Sequence, residues 1–487
     1  MDTPVLVAGA GPTGLTLAIE LARRGVGVRV VDKAETYFAG SRGDGLQPRT
    51  LEVFEDLGVL DAVLAAGSPE YVTKIHVGGR IVGERRMREH VEPTPAVPYP
   101  NAWFLGQSRT EGILRDRLAD LGVRVELGTE LVGLDQDADS VTATLARGEE
   151  RETVRVAYLV GADGGRSFVR KSLGIAFEGT TDESIRVLLG DVRADGLDHA
   201  YSHWFGEPSD PAAGIVLVPL AGTPHFQFGA PLGDGDAEAS LPTLQAKLDG
   251  FGGADVRLHD LAWSTVWRPN VRLAERFRQG RVFLAGDAAH AHPPTGGQGL
   301  NTGIQDGYNL GWKLADGSPE LLDSYEAERR AVAVRVIEVS TELMRKYVEG
   351  DETAHERGEE TQQLDVGYRG GPLAPAADGG VRPGDRAPDS PLVDANGKQV
   401  RLFELFSGPH ATLLIFGDID DDIAEDADAV VEPSEGTHVH RILPAGAEAT
   451  GEDFVDAGGH AYAAYEAAEG TRVLVRPDGY LRAISPA

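Results

Sequence analysis

The chain of 487 residues contains no cysteine. That excludes disulfides, Fe–S clusters, Cys-ligated zinc and a dithiol redox centre. It fits a reducing cytoplasm, where we expect the protein. No apolar run approaches the roughly 20 residues a membrane helix needs. No basic segment with a cleavage site precedes the first apolar strand, so neither a membrane span nor a secretory signal is expected. Positive charge is scarce: 46 Lys and Arg stand against 77 Asp and Glu, a net charge of −31. A surface that acidic repels nucleic-acid phosphates and anionic membrane, and neither is an expected partner. What remains, 41% hydrophobic and 25% charged residues, is the composition of a globular protein long enough for two or three domains.

The N-terminus carries the first motif. The apolar run 5–8 suits a buried parallel strand, and Gly9-Ala10-Gly11-Pro12-Thr13-Gly14 follows it directly. Leu15, Ala18, Leu21 and Ala22 then recur at helical spacing, Gly25 closes that helix, and 26–31 forms a second strand ending in Asp32 beside Lys33. This is a complete βαβ unit. Gly9 permits the tight turn, Gly11 lets backbone approach a pyrophosphate, and Gly14 lets helix pack on strand. The helix N-terminus offers free N–H groups and partial positive charge to phosphate, and Asp32 is placed to accept from a ribose diol. Pro12, Thr13 and Lys33 join these residues as dinucleotide-binding candidates. The unit alone does not choose between FAD and NAD.

Two further motifs bear on that choice. Tyr158-Leu-Val-Gly-Ala-Asp163-Gly164 is a strand running into an Asp-Gly turn, with Ser167 and Arg170 beyond it. Arg281-Val-Phe-Leu-Ala-Gly286-Asp287-Ala-Ala-His290 is an apolar strand ending in Gly-Asp. It continues through His292, Pro293, Pro294, Gly296, Gly297, Gly299, Leu300 and Asn301. Taken together, and in this order, the three motifs resemble the class A flavoprotein monooxygenases, the aromatic hydroxylases built like para-hydroxybenzoate hydroxylase. The resemblance covers residues 4–350.

The residues agree with it. Asp287 ends a strand at the carboxyl edge of a sheet, where ligands of open α/β sheets sit, and would bind flavin ribityl hydroxyls. Gly296, Gly297 and Gly299 are expected against the flavin ring, where a helix N-terminus near Asn301 stabilises developing negative charge; Gly286, Pro294, Leu300 and Asn301 join them as cofactor-binding candidates. Gly303, Gly307 and Gly311 give the following helix a smooth face. Leu300, Ile304, Tyr308 and Trp312 read as core. Asp163 is expected at FAD or, alternatively, as a cap on the next helix, and Arg170 as a phosphate contact or a surface ion pair. The loop Ser41–Glu52 resembles the family's loop after the second strand, and Arg42 in it is a candidate to hold FAD phosphates or to sit beside the flavin ring. The resemblance places Gln107 and Arg109 near the flavin; read alone, each is equally a polar residue at a helix start.

The implied activity is oxygenation: NADPH (or NADH) reduces FAD, O2 adds to give a flavin C4a-hydroperoxide, and its distal oxygen passes to an aromatic ring. No metal or Ser–His–Asp constellation is required. His290 and His292 are not expected to bind metal, and Arg42 and His290 are the only catalytic candidates among the side chains. There is no second GxGxxG for the nicotinamide.

Composition divides the chain into an α/β architecture. A Rossmann-like FAD-binding domain (1–174 and 281–350) is interrupted by a β-sheet substrate domain (175–280), whose stretches 215–220 and 224–228 alternate like strands. Trp204, Phe226, Phe228 and Pro293 are the substrate-contact candidates, with Trp263 and Trp267 as further aromatic residues; sheet core is the plainer reading of the aromatics. A Gly/Pro-rich passage (351–382) reads as a linker or extended loop, and 418–428 as a solvated acidic loop. Residues 383–487 resemble the thioredoxin-like domain appended to phenol, polyketide and rifampicin hydroxylases, here without CxxC, so its role is structural. The domain and the loop Asp44–Glu52 favour a polycyclic, polyketide-like aromatic substrate for a monomer or homodimer. Baeyer–Villiger insertion, epoxidation, antibiotic inactivation, hydroxylation of a simple phenol and a catalytically silent flavoprotein remain the alternatives.

Overall fold

The computed structural model describes residues 4–182, 185–207, 210–232, 239–351, 353–354, 356–376, 379–417 and 436–485. The acidic segment 418–428 lies outside the described residues.

Six strands make the central sheet, in the order Arg278–Gln279, Val282–Leu284, Tyr158–Gly161, Val5–Ala8, Val28–Val31, Val125–Glu126. All neighbours are parallel except the Arg278–Gln279 edge. Val5, Leu6, Val7, Val282, Phe283 and Leu284 are each 1% exposed or less, as apolar strands covered on both faces must be. The helix Pro12–Ala22 packs along the helix Gly299–Asp316, and glycine makes that contact close. A Cβ on Gly303 would lie 2.4 Å from Thr13 Oγ1, on Gly307 2.5 Å from Thr13 O, and on Gly311 2.3 Å from Glu20 Cβ.

The second sheet has seven strands, in the order Arg257–Trp267, Val187–Asp195, Phe226–Pro231, Asp210–Pro219, Ser202–Glu207, Thr73–Val77, Arg80–Arg85. Its last two strands come from the first chain segment, so this sheet is not confined to 175–280. Period-2 alternation sorts its side chains. One face carries Leu188, Val192, Phe205, Ile215, Leu217, Phe226 and Phe228, closed by Leu244 and Leu248 of the helix Leu241–Gly250. The other face turns toward the loop that follows Asp32.

The described residues of 383–485 build a third sheet, in the order Gln399–Arg401, Pro391–Asp394, Phe454–Val455, His438–Leu443, Thr412–Phe416, Arg472–Val475, Leu481–Ser485. Thr412–Phe416 runs parallel to His438–Leu443 and antiparallel to the terminal hairpin, the arrangement of a thioredoxin-like sheet. The hairpin's Pro477–Gly479 turn plugs into the body. Arg49 donates to Asp478 O at 2.8 Å, Asn309 to Asp478 Oδ2 at 3.1 Å, and Arg476 to Glu328 at 2.7 and 3.0 Å.

The passage 351–382 is more than a linker. Its described part follows the 31-residue helix Pro319–Glu349 and lies across the body. Thr361, Gln363, Val366, Tyr368 and Leu373 are all 5% exposed or less.

Candidate active site

The three motifs meet at the carboxyl edge of the central sheet. Gly9 has φ +110°, and a Cβ there would lie 2.2 Å from Ala162 O in the Asp-Gly turn. Gly14 is equally constrained, with a Cβ 2.0 Å from Gly9 O, whereas a Cβ on Gly11 would meet no protein atom within 4 Å. Two of the three glycines thus serve the turn itself, and the third borders open space at the helix N-terminus. Asp32 ends its strand held from behind: the N–H groups of Ala10 and Ala34 each donate to its carboxylate at 2.9 Å. Lys33 beside it is exposed and Pro12 is buried.

Asp163 does two things at once. Oδ2 accepts from Phe168 N at 2.7 Å and Val169 N at 3.1 Å, capping the helix Phe168–Ser172. Oδ1 is buried without a hydrogen-bond partner among the described residues. Arg170 is neither a surface ion pair nor directed into the open space. It is buried, donates to Ala288 O at 2.8 Å and Gly165 O at 2.9 Å, and stacks on Phe177, tying the Asp-Gly turn to the Gly-Asp loop.

Gly286 has φ +59° and rests on Thr13, so the second and third motifs both fit the first. Asp287, the next residue, is exposed to solvent yet flanked by protein. Burial on its flanks pushes its pKa up, and nearby His290 and Arg42 pull it the other way. Arg42 is exposed, lies 4.6 Å over the Phe38 ring, and acts on both Asp287 and Glu111. Gln107, at the start of the helix Gln107–Asp120, donates to Glu111 at 2.8 Å, and its backbone N–H bonds Gly43 O at 2.9 Å. Arg109 points elsewhere: it holds Ala221 O at 2.7 Å and Ala66 O at 3.3 Å.

The glycine-rich loop is shaped by side chains from outside it. Gly296 (φ +93°) and Gly297 (φ +63°) are left-handed. Pro294 and Gly297 are exposed, and the helix begins at Gly299 and Leu300, both half-buried. Asn301 is fully buried and its side chain is committed internally. Its Oδ1 accepts from Gln47 N at 2.8 Å, and its Nδ2 donates to Gly45 O at 2.8 Å and Gly297 O at 2.7 Å. Only its backbone is free to face a ring. Gln47 adds a bond to Gly296 O at 3.1 Å.

Several expectations are corrected. His290 is 1% exposed and sits beneath the Gly-Asp turn, so it supports that turn rather than meeting substrate. Its Nε2 pairs with Asp306 Oδ2 at 2.7 Å, which also accepts from Gly286 N at 2.9 Å; Asp306 Oδ1 accepts from Arg329 at 2.6 Å. Burial would raise the Asp306 pKa, but Arg329 and His290 hold it below the usual range. Burial lowers His292 to about 4, leaving it neutral. Phe226 and Phe228 face the closed core behind the second sheet, and Pro293 is buried in its loop, so none of the three walls the open space. Trp204 is on the front face but only 6% exposed. Asp306, Arg329 and Gln47 were not singled out from sequence: they act across gaps no local spacing rule describes. Among the described residues no three His, Asp or Glu cluster as a metal site, and no helix is long and apolar enough to cross a membrane. A surface hollow of about 750 Å³ lined by Arg278, Asp323, Glu326 and Arg330 holds none of these groups.

These features fit FAD: open space beside Gly11 at the helix N-terminus, strand-end carboxylates at Asp32 and Asp287, and an orphaned buried carboxylate oxygen at Asp163. Comparison with known proteins agrees. Residues 2–340 match the family described as FAD binding domain. A flavin-dependent monooxygenase of Mycobacteroides abscessus is 44% identical over 98% of this chain and 96% of its own. The 12-dehydrotetracycline 5-monooxygenase/anhydrotetracycline 6-monooxygenase of Streptomyces rimosus is 34% identical over 99% and 95%. Among solved structures, aklavinone-11 hydroxylase with FAD and aklavinone superposes with a TM-score of 0.83 at 29% identity, covering 100% of this chain and 96% of that one. The chain belongs to the FAD-binding-domain family and, within it, to the FAD-dependent aromatic monooxygenases.

Proposed function

We propose that this monooxygenase hydroxylates a polycyclic, polyketide-like aromatic molecule, with NADPH or NADH as reductant. The observation that carries the substrate class is the full-length likeness to a hydroxylase whose structure holds both FAD and aklavinone. The tetracycline-directed relative supports it across the same length.

In this reading the N-terminus of the helix Pro12–Ala22 takes the pyrophosphate, with Gly11 leaving room for it. Asp32 accepts from the ribose of the adenosine half and Asp287 from the ribityl chain. Backbone N–H groups at Gly299–Asn301 face the flavin ring, where a helix N-terminus favours negative charge. Bound FAD supplies hydride acceptance from the nicotinamide and activation of O2 for transfer of one oxygen atom. The protein's share is to position the ring, exclude water and stabilise charge. The C-terminal domain, lacking cysteine, contributes packing.

The test is spectroscopic. Flavin absorbance of the purified protein is recorded while aklavinone, an anhydrotetracycline or phenol is added. Saturable perturbation by a polycyclic compound supports the reading; perturbation by phenol alone contradicts it.

A further inference from the structure

The loop that carries Arg42 is gripped from two sides. On the cofactor side, Gln107 N bonds Gly43 O at 2.9 Å and Leu105 N bonds Asp44 O at 2.7 Å. On the other side the loop lies on the front face of the second sheet. There Trp263, Asp191 and Gln227 stand directly opposite one another on three adjacent strands, forming a row across the sheet. Phe38 meets Trp263 edge-on, with ring centroids 5.5 Å apart. A Cβ on Gly40 would lie 2.7 Å from the Trp263 ring, so only glycine lets the loop come this close. Gln227 Nε2 donates to Ser41 O at 2.6 Å. The carboxyl of Asp191, 3% exposed and with Oδ1 unpartnered, lies between them and interacts with the Ser41 amide. Ser41 itself is 1% exposed. The next residue is Arg42, whose guanidinium stacks on Phe38 and acts on Asp287.

We propose that Trp263, Asp191 and Gln227 are positioning residues: the row seats Gly40–Ser41 on the sheet and thereby fixes Arg42 beside Asp287 at the cofactor. This rests on the placement of FAD proposed above. Arg42 is exposed and makes no hydrogen bond or ion pair among the described residues, so its place is set by the backbone that carries it. That backbone has a buried carbonyl satisfied by one side chain, Gln227, and a glycine fitted to one ring, Trp263. Removing either contact leaves a buried polar group unpaired or a ring unseated, and the loop rises.

The experiment follows release of FAD from the holoenzyme on dilution, read by flavin fluorescence, together with the rate of flavin reduction by NADPH. Gln227→Leu removes the donor from the sheet side. Gly40→Ala pushes on Trp263 from the loop side and serves should Gln227→Leu fail to fold. Each is expected to raise the FAD dissociation constant roughly tenfold, as expected for one lost buried hydrogen bond or contact. Arg345→Gln, on an exposed helix face, is expected to change nothing. The deciding comparison is Gln227→Leu in an Arg42→Gln background, where a positioning role predicts less than a ~2-fold further change because both act through one side chain. A full tenfold effect in that background, or unchanged FAD release in both single variants, would overturn the inference while leaving the cofactor assignment standing. Wild-type protein purified without FAD would instead sink the cofactor assignment, and the inference with it.

Discussion

Asp287 and Gly11 carry the cofactor reading at the scale of single residues. Asp287→Ala removes a carboxylate that no hydrogen bond holds among the described residues, so folding should survive while FAD affinity falls roughly 10- to 100-fold, the range for a charged hydrogen bond. Flavin content of the purified variant checks this. Gly11→Val is sharper. Gly11 has φ −74°, which any residue adopts, and a Cβ there would meet nothing within 4 Å among the described residues beyond its chain neighbours. The variant should therefore be soluble and free of FAD; normal flavin content would show that the space beside Gly11 is not the phosphate cradle. These residues were legible in the sequence because each sits at a fixed offset from a strand end. Asp306 and Arg329 were not. They lie 20 and 43 residues from Gly286, on different helices, and nothing local in the sequence couples an acid in one helix to an arginine in the next. Phe226 and Phe228 show a second limit. Alternation tells which residues share a sheet face, but which face is closed depends on the helix Leu241–Gly250 packing there.

Between elements, the contact of the helices Pro12–Ala22 and Gly299–Asp316 sets the geometry of the site, because each presents its N-terminus to it. Gly307→Ala would bring a Cβ to 2.5 Å from Thr13 O and 3.0 Å from Leu17 N. Backbone cannot yield as a flexible side chain does, so the helices must separate, at a cost of ~1–3 kcal/mol and with loss of FAD affinity. A thermal melt and a flavin titration on one preparation check both. The glycine spacing was readable as a packing face. The strap 351–382 was not, since Gly and Pro mark irregular backbone without saying whether it is free or laid on a core. In the structure Gln363 bonds Gln298 at 2.7 Å and Gln305 at 2.6 Å, holding the strap to the root of the glycine-rich loop.

Over the whole molecule, a buried ion cluster joins the C-terminal domain to the catalytic body. Glu328 accepts from Lys313 at 2.6 Å as well as from Arg476, while Arg386 pairs with Glu52. Burial alone would raise the Glu328 pKa, but Arg476 and Lys313 more than offset it and hold it at about 2, below the ordinary 4.5. A depressed carboxyl stabilises the fold above its unfolded pKa and loses that contribution as pH falls through its folded one. Glu328→Gln should therefore cost ~3–5 kcal/mol at neutral pH by stranding buried cations. The gap from wild type should narrow as pH drops from 4.5 toward 2, measured by denaturant unfolding across that range. A constant gap would place the stabilisation elsewhere. Deleting 383–487 removes Arg476 and Arg386 together and should destabilise the body rather than leave it intact.

The central claim is oxygenation of a polycyclic aromatic, and NADPH consumption tests it most directly. The FAD-containing protein is given NADPH and O2, with and without aklavinone-like or tetracycline-like compounds, and products are weighed by mass spectrometry. The account predicts strong stimulation by a polycyclic compound and a product one oxygen atom heavier. NADPH oxidation that no aromatic compound stimulates, with every compound recovered unchanged, would contradict it.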